Sequence, residues 1–346
     1  MTVLDRGPLT VSVIIPCHNA ERWIGEAVDS CLNQTYHPIE ILVVDDGSTD
    51  ASLEVLRSYG TEIQLYSGSN CGGSHARNQG FALSRGEYIQ FLDADDYLLP
   101  KKIGRQVAFL EQTGADVVYG DWRHRFENAD GTRTLGEESI AGKQADVLEA
   151  LLSGWWTANM TLLLRRQVVD RCGGWDESIR VGQDRDFFVT VSMSGADVRY
   201  QPGCYSVYRR YGDVTLSTSS RQVWLEGNEC ILEKAERQLV AAGKLTPRYR
   251  RAMAKSYFHL ARGYYDLDPV AYKRLLDKTL ELFPSFRPDE SWLYNAAWWL
   301  SGFAVADKLA HIKRGVIRRI RRSPDVHKTQ SRQRAEIPRH GQTSSD

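Results

Sequence analysis

The sequence predicts an α/β fold: a mostly parallel central sheet with helices on both faces, followed by a helical C-terminal appendage. Three observations predict it. Short continuous apolar runs alternate with amphipathic stretches from residue 11 to 122, and unbroken apolar runs mark strands covered on both faces. Two of these runs end in acidic clusters, Asp45-Asp46 and Asp93-Ala94-Asp95-Asp96, and ligands of parallel α/β sheets gather at the carboxyl ends of strands. After Ser220 the spacing turns helical and rich in Trp and Tyr.

The elements follow in order. Val11–Ile15 is a strand stopped by Pro16. Ala20–Leu32 has helical spacing, with Trp23, Ala27, Val28 and Cys31 on one side. Ile39–Val44 is a second strand, and Ser48-Thr49-Asp50 can cap a helix over Leu53–Ser58. Ile63–Tyr66 is a third strand. Cys71-Gly72-Gly73 forms a loop into a helix over Ser74–Ser84, and Tyr88–Leu92 and Asp116–Tyr119 are the fourth and fifth strands. Alternation of this kind builds a parallel sheet. Residues 123–140 are polar and Gly-rich, the mark of a hairpin or an excursion. Residues 144–210 carry more helix and strand signals, and two unusual segments: Gly173-Gly174-Trp175-Asp176 and Gly182-Gln183-Asp184-Arg185-Asp186-Phe187. The expected organisation is an α/β domain over 1–218, a helical region over 219–322 and a disordered polar tail over 323–346.

Bulk composition narrows the classes. Lys+Arg and Asp+Glu balance at 44 each in 346 residues, which gives no ground for nucleic-acid binding. Six cysteines without a CxxC pair are no zinc pattern and read as reduced, buried or half-buried thiols. There is no basic-then-apolar leader and no apolar run of about eighteen residues to span a bilayer. The expected location is the cytosol or the cytoplasmic face of its membrane.

The acidic strand ends carry the chemistry. Carboxylates clustered behind a strand offer hard oxygen ligands suited to Mg²⁺ or Mn²⁺ shared with phosphates, although such aspartates also serve turns and caps. A helix N-terminus with a guanidinium, as at Arg77-Asn78, suits phosphate or base recognition. Asp184 opens an amphipathic segment and could equally be its N-cap.

The segments Val11-Ser-Val-Ile-Ile-Pro-Cys-His-Asn19, Ile41-Leu-Val-Val-Asp-Asp-Gly-Ser-Thr-Asp50, Gly73-Ser-His-Ala-Arg-Asn-Gln-Gly80 and Gly86-Glu-Tyr-Ile-Gln-Phe-Leu-Asp-Ala-Asp-Asp96, with the acidic segment at 182–186, resemble the family 2 glycosyltransferases of GT-A fold over residues 10–215. The resemblance implies an inverting transfer from a nucleotide-sugar, UDP ahead of dTDP or GDP, assisted by Mn²⁺ or Mg²⁺. It implies a glycan or lipid-linked acceptor for cell-surface polysaccharide.

The same likeness implies roles. Pro16 to Asn19 border the nucleoside, although His18 alone reads as part of a strand end. One of Asp45 and Asp46 accepts from the base and the other makes a turn. Arg77 lines the nucleotide pocket, Asp93 lies near the ribose, Asp95 binds the cation and Asp96 supports it. Asp184 is the base that deprotonates the acceptor, with Asp186 as rival and Gln183 where the family often has Glu. Arg209 or Arg210 is expected to clamp the diphosphate. Trp175 is a candidate sugar-stacking face, whereas Trp156 is expected in the core. Tyr211 stands where relatives often carry His, which leaves a third protein ligand to the metal open.

Outside the resemblance lie an aromatic stretch, Trp292 to Leu300, and a basic one, His311 to Arg322. The latter spaces Ile312, Val316, Ile317 and Ile320 among Lys313, Arg314, Arg318, Arg319, Arg321 and Arg322. Residues 292–322 thus read either as a contact with an anionic membrane surface or as an appendage with a solvated basic face. Two other functions fit parts of the pattern. A sugar-1-phosphate nucleotidyltransferase calls for a Gly-rich basic loop where Pro16-Cys17-His18-Asn19-Ala20 stands. A non-catalytic nucleotide-sugar-binding subunit is the reading that Gln183 leaves room for. An NAD-dependent reductase is disfavoured by the lack of GxGxxG after the first strand.

Overall fold

The computed structural model describes residues 10–128, 130–211 and 220–322. The expected disordered tail lies outside them. The chain divides between Pro284 and Ser285 into two compact units. The expectation put a boundary at residue 218, but the helices up to Leu282 belong to the same unit as the sheet.

The first unit opens with β1 (Val11–Cys17), α1 (Ile24–Leu32), β2 (Ile39–Asp46), α2 (Ser52–Arg57), β3 (Gln64–Gly68), α3 (Gly73–Leu83) and β4 (Tyr88–Phe91). These four strands pair in parallel in the order β3-β2-β1-β4. Residues 11–15 of β1 are fully buried, as a strand between two helical layers requires; the one polar side chain, Ser12, is satisfied by Glu40 and the Gly86 N–H. Pro16 does not end β1 but lies inside it. Ile14 accepts from Leu92 on the β4 side, and β4 ends at that point. Pro16 points the same way two residues on, so its missing N–H has no ladder partner to lose.

The sheet continues with β5 (Tyr97–Leu98), α4 (Lys102–Thr113), β6 (Val117–Glu127), β7 (Arg133–Ser139), α5 (Val147–Leu152), β8 (Leu163–Arg165), α6 (Arg166–Cys172), α7 (Gln183–Met193) and β9 (Val198–Tyr211). The full order is β3-β2-β1-β4-β8-β6-β9-β5, with β7 on β6. β8 is antiparallel to both β4 and β6, and β9 is parallel to β6. Six strands (β1–β4, β6 and β9) therefore run one way. The polar 123–140 stretch is the β6–β7 hairpin.

Helices α8 (Arg221–Ala241), α9 (Pro247–Tyr264) and α10 (Pro269–Leu282) complete this unit. Side-chain caps start them: Ser220 for α8, Thr246 for α9 and Asp268 for α10, each satisfying an orphan N–H. α8 packs against the start of α7. A Cβ at Gly227 would lie 2.8 Å from the Val181 carbonyl, and one at Gly182 would lie 2.7 Å from Ile231. Glycine is what allows this approach. In the second unit α11 (Trp292–Arg322) is broken at Gly302. All six cysteines are free, but Cys71 and Cys230 are exposed rather than buried.

Candidate active site

The chain leaves β4 in a tight turn, in which the Asp96 N–H donates to the Asp93 carbonyl at 3.1 Å. This puts three carboxylates on one rim. Asp96 is buried and accepts from the Arg209 N–H at 2.8 Å. Asp95 is half-buried, and its carboxylate accepts from the Tyr211 hydroxyl at 3.0 Å. Its carbonyl accepts from Arg209 Nε at 2.7 Å. Burial, and then the charge of Asp93, push the Asp95 carboxyl above its usual range. Asp96 is pushed well above it by burial, Asp95 and Asp93.

Arg77, from the first turns of α3, faces these groups. It donates to Asp93 at 2.5 Å and to Gln183 Oε1 at 3.0 Å. Burial pulls the guanidinium pKa down, but Asp93, Asp184 and Asp95 more than offset this. The guanidinium also lies 4.4 Å over the Trp175 ring. Trp175 stacks on Phe187 with centroids 4.2 Å apart and planes within 3°, so both indole faces are covered. At 3% exposure it offers no sugar-stacking surface, contrary to expectation. Asn78 fixes its loop: it accepts from the Trp175 N–H at 2.8 Å and donates to the Trp175 carbonyl at 2.9 Å.

Asp184 sits in the first turn of α7. The N-cap is Gly182 in the left-handed conformation, and no side chain caps the helix, so Asp184 is not the cap. Its carboxylate accepts no hydrogen bond among the described residues. Burial and the charge of Asp93 raise its pKa to about 7; Arg77 opposes the rise and Asp95 adds to it. Its rival Asp186 is buried and held by Lys234 at 2.9 and 2.7 Å. Lys234 also pairs with Asp176 at 2.8 Å.

The β2 end lies beside these groups through the loop that leads to Arg77. Asp46 accepts from the N–H groups of Cys71 and Gly72 at 2.7 and 2.9 Å. Gly73 follows, where a Cβ would lie 3.1 Å from Arg77 and 3.3 Å from Gln183. Asp45 accepts from Ser67 Oγ at 2.8 Å and from the Ser48 N–H at 3.3 Å, the turn expected of one of the pair. Asn19, at φ 49°, accepts from the Thr49 N–H at 2.8 Å, and His18 bonds the Asp46 carbonyl at 2.9 Å. The β1, β2 and β3 exits are thereby laced together beside the Arg77–Asp93–Asp184 group.

Two further expectations change. Arg209 has a fully buried guanidinium, bound to Glu26 at 2.6 Å and Glu127 at 2.7 Å and lying 4.3 Å over Trp23. It braces the acidic turn and is not free to clamp a diphosphate. Arg210 is half-exposed, its guanidinium 4.7 Å over the Tyr208 ring. Trp156 is 42% exposed rather than core, whereas Trp155 packs on Tyr119 and donates to the Ala141 carbonyl at 3.2 Å. Sequence reasoning missed Glu26, Arg125 and Glu127. Arg125 bonds Glu26 at 2.5 Å and Glu127 at 2.9 Å, which completes the ionic brace around Arg209.

No group of three His, Cys, Asp or Glu side chains able to hold a metal occurs among the described residues. The donor set nonetheless fits a cation shared with phosphate oxygens: hard carboxylates with raised pKa values mark an excess of negative charge that a dication relieves.

Residues 12–174 match the glycosyl transferase family 2 profile. An uncharacterized glycosyltransferase of Haemophilus influenzae is 33% identical over 163 residues, which is 46% of this chain and 63% of that protein. The uncharacterized glycosyltransferase EpsJ of Bacillus subtilis is 30% identical over 208 residues, 58% of this chain and 60% of its own length. The chain thus spans less than two-thirds of the curated relatives it matches. Among solved structures, S. aureus TarS 1-349 superposes with a TM-score of 0.59 at 18% identity, covering 80% of this chain and 81% of that one. The mannosyltransferase PcManGT of Pyrobaculum calidifontis, in complex with GDP-Man and Mn²⁺, gives 0.53 at 19% identity, covering 90% and 83%. At these identities the structural likeness speaks for the fold. The profile match gives residues 12–174 a glycosyl transferase family 2 domain, and the structural likeness gives the chain a GT-A fold.

Proposed function

We propose that this chain is an inverting glycosyltransferase. It moves a sugar from a nucleotide-sugar, a UDP-sugar, to a hydroxyl of a glycan or lipid-linked acceptor in cell-surface polysaccharide synthesis. The observation that carries this reading is Asp184: a carboxylate that accepts no hydrogen bond among the described residues, raised to about 7, beside the acidic turn and Arg77. A base of near-neutral pKa is matched to taking a proton from a sugar hydroxyl at physiological pH. Solved TarS structures with UDP and with UDP-GlcNAc, and the mannosyltransferase with GDP-Man and Mn²⁺, support a nucleotide-sugar donor.

In this reading the loop from Pro16 to Asn19 and the β2 end at Asp45 and Asp46 receive the nucleoside. Both carboxylates already hold loop groups, so base recognition uses their remaining lone pairs. Asp93, fixed by Arg77, faces the ribose, and half-exposed Arg210 is the guanidinium available to the diphosphate. Asp95 would hold Mn²⁺ or Mg²⁺, which supplies Lewis-acid stabilisation of the departing diphosphate when bound. Asp184 deprotonates the acceptor as it attacks from the face opposite the diphosphate. Gln183 keeps Arg77 in place by accepting its hydrogen bond, a task that Glu would also perform, so the departure from the family's usual pair does not remove the base.

A thermal-shift screen of UDP, GDP, dTDP and CDP, with and without Mn²⁺, tests the donor class. A metal-dependent shift for UDP alone is expected. A shift for another base would move the donor assignment, and no shift with any nucleotide would remove the reading. UDP release from a donor panel separates an enzyme from a non-catalytic binder.

A further inference from the structure

Helix α11 is unusual in what it exposes. Taken by itself, it is two helical segments broken at Gly302, where φ is 78° and ψ 177°, a conformation that favours glycine. The Tyr294 hydroxyl donates to Asp307 at 2.8 Å across the break. Before the break, Trp292, Leu293, Trp299 and Leu300 are 76, 55, 79 and 73% exposed. Positions i, i+1, i+7 and i+8 share one side of a helix. After the break, Val305, Leu309 and Ile312 are 42, 53 and 53% exposed, at i, i+4 and i+7. The sequence continues that spacing with Val316 and Ile320.

The charge of this helix is one-sided. Residues 292–322 contain Lys308, Lys313, Arg314, Arg318, Arg319, Arg321 and Arg322 against one acid, Asp307. That acid is buried and bonded to Tyr294. No helix among the described residues is long and apolar enough to cross a membrane. A run of exposed indoles and leucines leading into a cationic amphipathic segment is the composition of a helix that lies in the plane of a lipid surface.

We propose that α11 docks on an anionic lipid bilayer, with its Trp and Leu face in the headgroup boundary and its basic residues against lipid phosphates. The apolar face distinguishes this from binding a free polyanion, for which exposed Trp292, Trp299 and Leu300 would serve no purpose. The cationic excess distinguishes it from pairing with a second copy, because two such helices repel. The inference does not depend on the donor assignment.

Flotation of the full chain with phosphatidylglycerol–phosphatidylcholine vesicles, against phosphatidylcholine alone, tests it. Wild type is expected to float with the anionic vesicles at low salt and to be released by high salt. Two variants are compared, Trp299→Ser with Leu300→Ser, and Arg318→Gln with Arg319→Gln, Arg321→Gln and Arg322→Gln. Each is expected to lower the bound fraction by at least about tenfold, while the metal-dependent nucleotide shift stays as in wild type. Absence of flotation at low salt would overturn the proposal. So would undiminished flotation of the Trp299/Leu300 variant, which would reveal charge attraction alone. Dimerisation abolished by that variant, without vesicle binding, would reassign the face to contact between copies.

Discussion

Asp184, Asp93, Asp95 and Arg77 act as one electrostatic group. Asp184 ionises late because it is desolvated and faces Asp93. A carboxyl raised in this way is protonated, and useless as a base, below its pKa. The kcat/KM profile of the proposed transferase is therefore expected to rise with pH through about 7 and level off above it. A flat profile from pH 5 to 9 would exclude Asp184 as the base. Asp184→Asn removes the proton acceptor and keeps the shape; turnover should fall by at least about 10²-fold, with the nucleotide-dependent thermal shift retained. Much of this group was legible because carboxylates behind an apolar run keep their place at a strand end. The roles expected of Arg209 and Trp175 were not, because both depend on what lies across from them. Arg209 meets Glu26 and Glu127, and Trp175 meets Phe187 and Arg77, partners distant in sequence.

At the scale of elements, α8 secures the start of α7. Lys234 bridges Asp176, in the loop before α7, to buried Asp186 within it, and Arg185 donates to Asn228 of α8 at 2.6 Å. The helix that carries Asp184 is thus anchored by α8, and both lie beyond the profile-matched residues 12–174. Lys234→Met leaves Asp186 buried and unpaired and is expected to destabilise the fold by about 3 kcal/mol, measured by urea unfolding. Loss of activity at full stability would instead give Lys234 a direct part in the site. Helix and strand types up to β4 could be read from apolar periodicity. β5 and β8, with two and three residues, could not, because so short a strand has no period and exists only through its neighbours.

At the scale of the molecule, the ionic brace joins distant parts of the chain. Arg209 on β9 holds Glu26 of α1, Glu127 of β6, and Asp95 and Asp96 of the acidic turn. Its fork serves several acceptors at once and lies over Trp23, which a lysine cannot reproduce. Arg209→Lys is expected to lower stability by about 3 kcal/mol, within the range for breaking a buried pair. It should also weaken the metal-dependent nucleotide shift as the Asp95 turn loosens. An unchanged midpoint in urea together with an unchanged shift would show the brace to be dispensable.

By itself the sequence determined the kind of sheet, the strand ends where chemistry gathers, and the residues at them, because those follow from local apolar runs and from side chains adjacent in the chain. Only the tertiary structure decided which charged groups are spent on architecture and which remain available. Asp184 and Asp186 stand two residues apart with the same side chain. One meets Lys234 and is satisfied, whereas the other meets Asp93 and is held near neutrality. That difference arises from burial and from charges brought close by folding, neither of which is written in the spacing of residues along the chain.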